Sequence, residues 1–169
     1  MNSKASILLD LKGRVSRFLI PDLIVHNGFN MDSDICELSK DITRVFKDTM
    51  LIFRSSAADE DGCKNSLAGE YASVLNISSN NPEEIIRAIN LVIASYEKKR
   101  PLMADDEVII QEMVKNTTMS GVIFTYDLNT GAPYYVINYD DQSGLTDTVT
   151  SGGGGIRKPY PLHPPQLNQ

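Results

Sequence analysis

The chain has 169 residues, 41% hydrophobic and 22% charged, with a net charge of −6. That length supports one domain or two small lobes with a real core. The acidic balance argues against nucleic acid or an anionic membrane as a main partner.

No segment approaches the length of a membrane span, and the start lacks a basic stretch followed by a long apolar core. A cytoplasmic protein is expected. Cys36 and Cys63 stand in unrelated contexts and read as reduced thiols. His26 and His163 are isolated, outside any ligand-spaced cluster, so no metal site is expected from them.

In chain order, 3–15 reads as a first helix, with Ile7, Leu8, Leu11 and Val15 on one face. Phe18 to Val25 is apolar and extended but holds Pro21, which predicts an edge or kinked strand. Asn27-Gly28 marks a turn. A second helix is expected over 32–46, with Ile35, Leu38, Ile42 and Val45 on one stripe. Met50 to Arg54 reads as a short buried strand, and Ala72 to Ile77 as another. Asn81-Pro82-Glu83-Glu84 is a helix start: a capping Asn, Pro at the first position, then acids. That helix should bury Ile85, Ile89, Val92, Ile93 and Tyr96. It ends in Lys98-Lys99-Arg100, which reads as a solvated, dipole-compatible terminus.

Segments 107–114, 121–126 and 134–139 are rich in β-formers and separated by turn residues. They predict an antiparallel meander, with Asn129-Thr130-Gly131 turning the last pair. From Ser151 onward, four glycines and four prolines predict a loosely held tail. It is not a phosphate-binding P-loop, because no Gly-Lys-Ser/Thr follows. The whole predicts an α+β fold, divided into 1–150 and a tail, 151–169.

One stretch carries the chemistry. Arg54-Ser55-Ser56-Ala57 ends an apolar run, Asp59-Glu60-Asp61-Gly62 makes an acidic turn, and Ala68-Gly69-Glu70-Tyr71 precedes a second short strand with Leu75-Asn76. A guanidinium at a strand end, with hydroxyls and loop N–H groups beside it, can hold phosphate oxygens. The structural alternative pairs Arg54 with Glu60 or Asp61. Gly69 permits close backbone approach to a ligand or a sharp turn. Farther on, Gln111-Glu112-Met113-Val114 places two polar residues in an apolar strand. Such groups need partners, and Met adapts to a flat ring. Ser120-Gly121-Val122-Ile123-Phe124-Thr125 follows.

These blocks, in this order, resemble the ATP-binding domain of the phosphoenolpyruvate synthase and pyruvate phosphate dikinase family. The resemblance covers roughly residues 3 to 152. It implies an ATP-grasp-like fold in which ATP sits between two lobes. Arg54 would meet the phosphates, the Gly69 loop would cover them, and Ser73 would stand where the family has a Ser or Thr. The main chain of Gln111, Glu112, Met113 and Val114 would meet the adenine edge.

Ser3-Lys4-Ala5 resembles a shortened form of the family's opening block, without its Gly-Gly pair. Lys4 is thus either a phosphate ligand or a solvated charge. Gly144-Leu145 and Thr150-Ser151-Gly152 match a later block in part.

The family phosphorylates a histidine on a separate domain, leaving AMP and phosphate, and passes the group to an acceptor such as pyruvate. One branch serves an amino acid, glutamine, and the short segment before Arg54 is similar to that branch. The family's Mg²⁺-binding carboxylates and closing Gln-x-Arg-Pro would fall beyond Gln169. The chain is therefore expected to be a fragment or one part of a split enzyme, binding ATP weakly and turning none over alone. The alternative is a non-catalytic nucleotide-binding or interaction module.

Overall fold

A computed structural model describes residues 3–27, 31–57, 71–127, 130–133 and 135–150. The chain divides into two units, 1–113 and 114–169. The first holds α1 (Lys4–Lys12), β1 (Leu23–Asn27), α2 (Met31–Val45), β2 (Met50–Ser56), β3 (Ser73–Ser78), α3 (Pro82–Glu97) and β4 (Glu107–Glu112). The second holds β5 (Ser120–Phe124) and β6 (Val136–Asp140). The fold is α+β with antiparallel sheets, as the periodicities predict.

In the first unit the strand order is β1-β4-β2-β3. Period-2 alternation sends Leu51, Phe53, Val108 and Ile110 to one face, where they join Ile42, Phe46, Ile85, Ile89, Val92 and Tyr96 in the core. Ile52, Arg54 and Ser56 of β2 take the other face, with Glu107, Ile109 and Gln111 of β4.

Helix α3 forms where the sequence places it. Asn81 accepts from the Glu84 N–H (3.2 Å), Pro82 occupies the first turn, and Glu83 and Glu84 face the positive end of the dipole. The apolar stripe of α2 ends differently from the sequence reading. Val45 is exposed, and Phe46 turns into the core instead.

Three other expectations are corrected. Only Ala5 of α1 is buried; Ile7 and Leu11 of its expected apolar face are exposed. The helix docks by polar contacts at its first turn: Ser3 Oγ donates to Glu107 Oε2 (2.8 Å), and the Ala5 N–H donates to Ser56 Oγ (3.1 Å). The first strand begins after Pro21, leaving Phe18 and Leu19 exposed. It is an edge strand, as Pro21 predicts.

The three-strand meander is also not formed. β4 lies between β1 and β2, while β5 and β6 make a separate two-stranded sheet. The physical reason is burial. Val108, Ile109 and Ile110 are fully buried, which fits a central strand rather than one member of a small ribbon. The chain leaves β4's course near Asn116, which has a positive φ of 54°.

In the second unit, Gly121 could not carry a side chain. A Cβ there would stand 2.3 Å from the Asn138 carbonyl oxygen, so the glycine permits the close β5–β6 approach. Around the expected turn, Thr130 N–H donates to Asp127 Oδ1 (2.8 Å), and Gly131 has φ 70°. Asn129 and the Gly/Pro tail lie outside the described residues. Among the described residues no helix is long and apolar enough to cross a membrane.

Candidate functional site

Arg54 and Ser73 are cross-strand partners at the open end of the β2–β3 pair. The pairing reaches them through a register shift between Leu51 and Phe53. On β3, Asn76 adopts a positive φ of 61°, and its N–H donates to Met113 Sδ (3.2 Å). Asparagine tolerates this left-handed backbone better than most residues. The Leu75-Asn76 block read in the sequence is thus the bulge that sets the register of Arg54 and Ser73.

Lys4 reaches the same end of the sheet. Its Nζ donates to the Ser55 carbonyl (3.3 Å), one residue beyond Arg54. Arg54, Ser73 and Lys4 therefore gather at one corner, from two strands and the first turn of α1. Among the described residues, none of the ion pairs involves Arg54. Its suggested pairing with Glu60 or Asp61, and the Gly69 loop, fall outside the described residues.

The neighbouring serines are spent within the protein. Ser55 is buried, and Ser56 is fully buried. Ser56 Oγ accepts from Ala5 N–H and donates to Glu107 Oε2 (3.3 Å). The sequence reading offered these hydroxyls to a phosphate; the Ser56 hydroxyl instead holds α1 to the sheet. A buried hydroxyl satisfied this way cannot turn to a ligand without leaving its partners unpaired.

The polar residues of β4 are answered the same way. Gln111 Nε2 donates to the Pro21 carbonyl (3.4 Å), and Glu112 Oε1 accepts from Thr49 Oγ1 (2.8 Å). They point to opposite faces, Gln111 to the Arg54 face and Glu112 toward Leu51 and the helices. The main chain is also engaged. Glu112 N–H donates to Asp22 O (3.1 Å) and Met113 N–H to Met50 O (2.9 Å). The main chain from Gln111 to Met113, expected to meet an adenine edge, is engaged instead in the sheet: β1 and β2 flank β4 and take its hydrogen bonds. Val114 comes after this paired stretch and is exposed.

Two arrangements escaped the sequence. Tyr96 on α3 reads as an apolar stripe residue, but its hydroxyl accepts from Ser56 N–H (2.8 Å) and donates to Glu107 O (2.7 Å). Arg100, read as a solvated cation, forms a bidentate pair with buried Asp106, both contacts at 2.7 Å. The guanidinium also lies 5.8 Å from the Tyr96 ring and 5.9 Å from the Tyr71 ring. The available signal was Asp106 just ahead of a buried strand, where a charge requires a partner.

Among the described residues no group of three or more His, Cys, Asp or Glu side chains is placed to hold a metal ion. They do not form a Mg²⁺ site, and no chemical step through that ion is assigned to them.

Residues 20–153 match the family model of the pyruvate phosphate dikinase AMP/ATP-binding domain. The match spans most of the chain, and the chain belongs to this family. Over 110 residues it is 33% identical to the prodigiosin synthesizing transferase PigC of Serratia marcescens, covering 60% of this chain and 12% of that protein. The chain thus spans a small part of the length of that relative. The family match includes Arg54, Gly69, Ser73 and the end of β4, whereas Lys4 precedes it.

Proposed function

We propose that this chain is the ATP-binding part of a phosphoenolpyruvate synthase-like phosphotransferase, with an ATP-grasp-like nucleotide domain. In this reading a phosphoryl group passes from ATP, with AMP and phosphate as the other products, to a histidine on another domain. From there it goes to an acceptor such as pyruvate or an amino acid. The observation that carries the reading is the corner where Arg54, Ser73 and Lys4 meet, in a chain of an AMP/ATP-binding family.

Each residue has a role that its chemistry suits. Arg54 offers a planar fork for two phosphate oxygens, and Ser73 offers one hydroxyl donor. Lys4 adds a point charge, its Nζ lying against the Ser55 carbonyl. Gly69, outside the described residues, keeps the phosphate-covering role that the family resemblance implies. The base lies toward the end of β4, near Gln111, Glu112, Met113 and Val114. With the ladder N–H groups and the Gln111 and Glu112 side chains occupied, the apolar side chains at the end of that stretch supply the contact rather than a strand edge. Mg²⁺, when bound with ATP, neutralises phosphate charge in such transfers. Its carboxylate ligands belong to further sequence in the family.

The test has two stages. Calorimetric titration with ATP should show binding by the chain. AMP release should then appear when the downstream region and a histidine-bearing domain of a relative are added as separate polypeptides. No heat with ATP would remove the nucleotide site. Binding without AMP release in the mixture would leave a nucleotide-binding module in place of an enzyme part.

A further inference from the structure

We propose that the last turn of α3, through Ser95 and Tyr96, is the positioning element for the Arg54–Ser73 corner; this rests on the phosphate-binding reading given above. The turn holds the ends of both strands that carry the pair. Tyr96 Oη bridges the facing N–H of Ser56 and C=O of Glu107, at 2.8 and 2.7 Å. Ser95 Oγ accepts from Ala72 N–H (3.0 Å) and donates to Val92 O (2.6 Å). The Tyr71 ring packs on the Tyr96 ring, centroids 4.9 Å apart.

Ser56 lies two residues after Arg54, and Ala72 one residue before Ser73. Two adjacent helical residues therefore fix the backbone on either side of the pair. The β2–β3 pairing cannot do this alone. Its register shifts between Leu51 and Phe53, and Arg54–Ser73 is the last pair before the strands part. A terminal rung beyond a bulge frays readily unless something beyond it is tied down. On β2 the ladder to β4 runs on to Ser56–Glu107, the rung that Tyr96 bridges, and on β3 the tie comes from Ser95; the end of α3 is itself held by the Arg100–Asp106 pair. The helix is anchored in the core through Ile85, Ile89 and Val92, so the reference frame is rigid. Side chains that meet a ligand need this kind of support, because small displacements cost affinity.

Tyr96 and Ser95 touch no phosphate in this scheme; they act through the backbone of Arg54 and Ser73. That makes a specific expectation for the full chain carrying Tyr96→Phe or Ser95→Ala. The phenyl ring keeps the contact with Tyr71 and loses the bridge. Affinity for ATP should fall by about three- to tenfold, while affinity for adenosine stays unchanged. In an Arg54→Ala background, Tyr96→Phe should cause no further loss of ATP affinity. A merely structural role would give the same loss in both backgrounds and for both ligands.

Amide hydrogen exchange reads the clamp without any nucleotide. Tyr96→Phe should speed exchange at Ser56 and Ser95→Ala at Ala72, with the amides of β4 unaffected. If wild type fails to bind ATP, the phosphate-site reading falls, and the exchange arm still decides whether α3 fixes these strand ends. Wild-type exchange in both variants would overturn the proposal. So would ATP binding undiminished by either substitution.

Discussion

The two faces of the four-stranded sheet come from the same strands and differ in what their side chains meet. Toward the helices, Leu51, Phe53, Val108 and Ile110 are fully buried against α2 and α3. On the other face, Ser56, Glu107 and Gln111 are each bound to a group of the protein, whereas Arg54 has no carboxylate partner among the described ion pairs. Arg100 makes the contrast sharper. It follows Glu97-Lys98-Lys99 just past the end of α3, and its fork is filled by Asp106. An arginine beside a strand is structural when a carboxylate fills its fork. It is a candidate for a ligand when the fork is left for something else.

Breaking the Arg100–Asp106 pair should have the largest effect. Asp106 is fully buried, while Arg100 keeps some exposure. Asp106→Ala strands a charge and leaves the Met103 N–H without its acceptor. The expected cost is about 3 kcal/mol, the low end for a broken buried pair. Urea denaturation should show a lower midpoint at unchanged slope. A cost within the range of an exposed pair would erase the distinction between the two arginines.

The second test is on the other arginine. Arg54→Ala should weaken ATP binding by about 1.5–3 kcal/mol, roughly ten- to a hundredfold. Its urea midpoint should stay near wild type, since no ion pair is lost among the described residues. Lys98→Ala, on an exposed residue after α3, should change neither quantity. Equal affinities for the Arg54 and Lys98 variants would take Arg54 out of the site.

What the sequence made legible was local. The cap, proline and acids of α3 act within one turn, so its bounds could be read directly. Arg54, Ser73 and the Leu-Asn block were singled out by their order, and the structure gives the last of these a mechanical reason in the positive φ of Asn76. What stayed hidden was long-range. Gln111 meets Pro21 ninety positions away in sequence, and Ser3 meets Glu107 across 104. No window over the chain contains both partners. The α1 stripe misled for a related reason: periodic apolarity shows that a face exists, not that anything covers it. Tyr96 was placed correctly in the core, but periodicity is blind to where a hydroxyl points.

The α1 contacts give a third, smaller effect. Ser3 caps the helix by accepting from Ser6 N–H (3.1 Å) and also donates to Glu107. Ser3→Ala should cost about 1.5 kcal/mol, near the upper range for a lost cap. Ile7→Ala, on the exposed side, should stay within about 0.5 kcal/mol of wild type. Hydrogen exchange along α1 would separate the two. If the Ile7 variant is the more disruptive, the helix is held by its apolar side after all, and the polar docking of the open face is wrong.

The smallest effect concerns the bulge that delivers Ser73 to Arg54. Asn76 sits at φ 61°, where a β-carbon is strained and glycine is not. Asn76→Ala should cost about 1 kcal/mol from that strain. Asn76→Gly should be closer to neutral, because relief in the folded chain offsets the added freedom of the unfolded one. Both variants keep the N–H that donates to Met113 Sδ, so the difference between them isolates backbone conformation from the contact. Stability alone would not show that the bulge matters to the site. The ATP titration supplies that: the glycine variant, which keeps the left-handed turn, should bind ATP as wild type does. The alanine variant should lose affinity to the extent that its bulge relaxes and Ser73 slips against Arg54. Identical binding by both, with the expected stability gap, would mean that the register of this pair is held without the bulge. The whole burden would then fall on the last turn of α3.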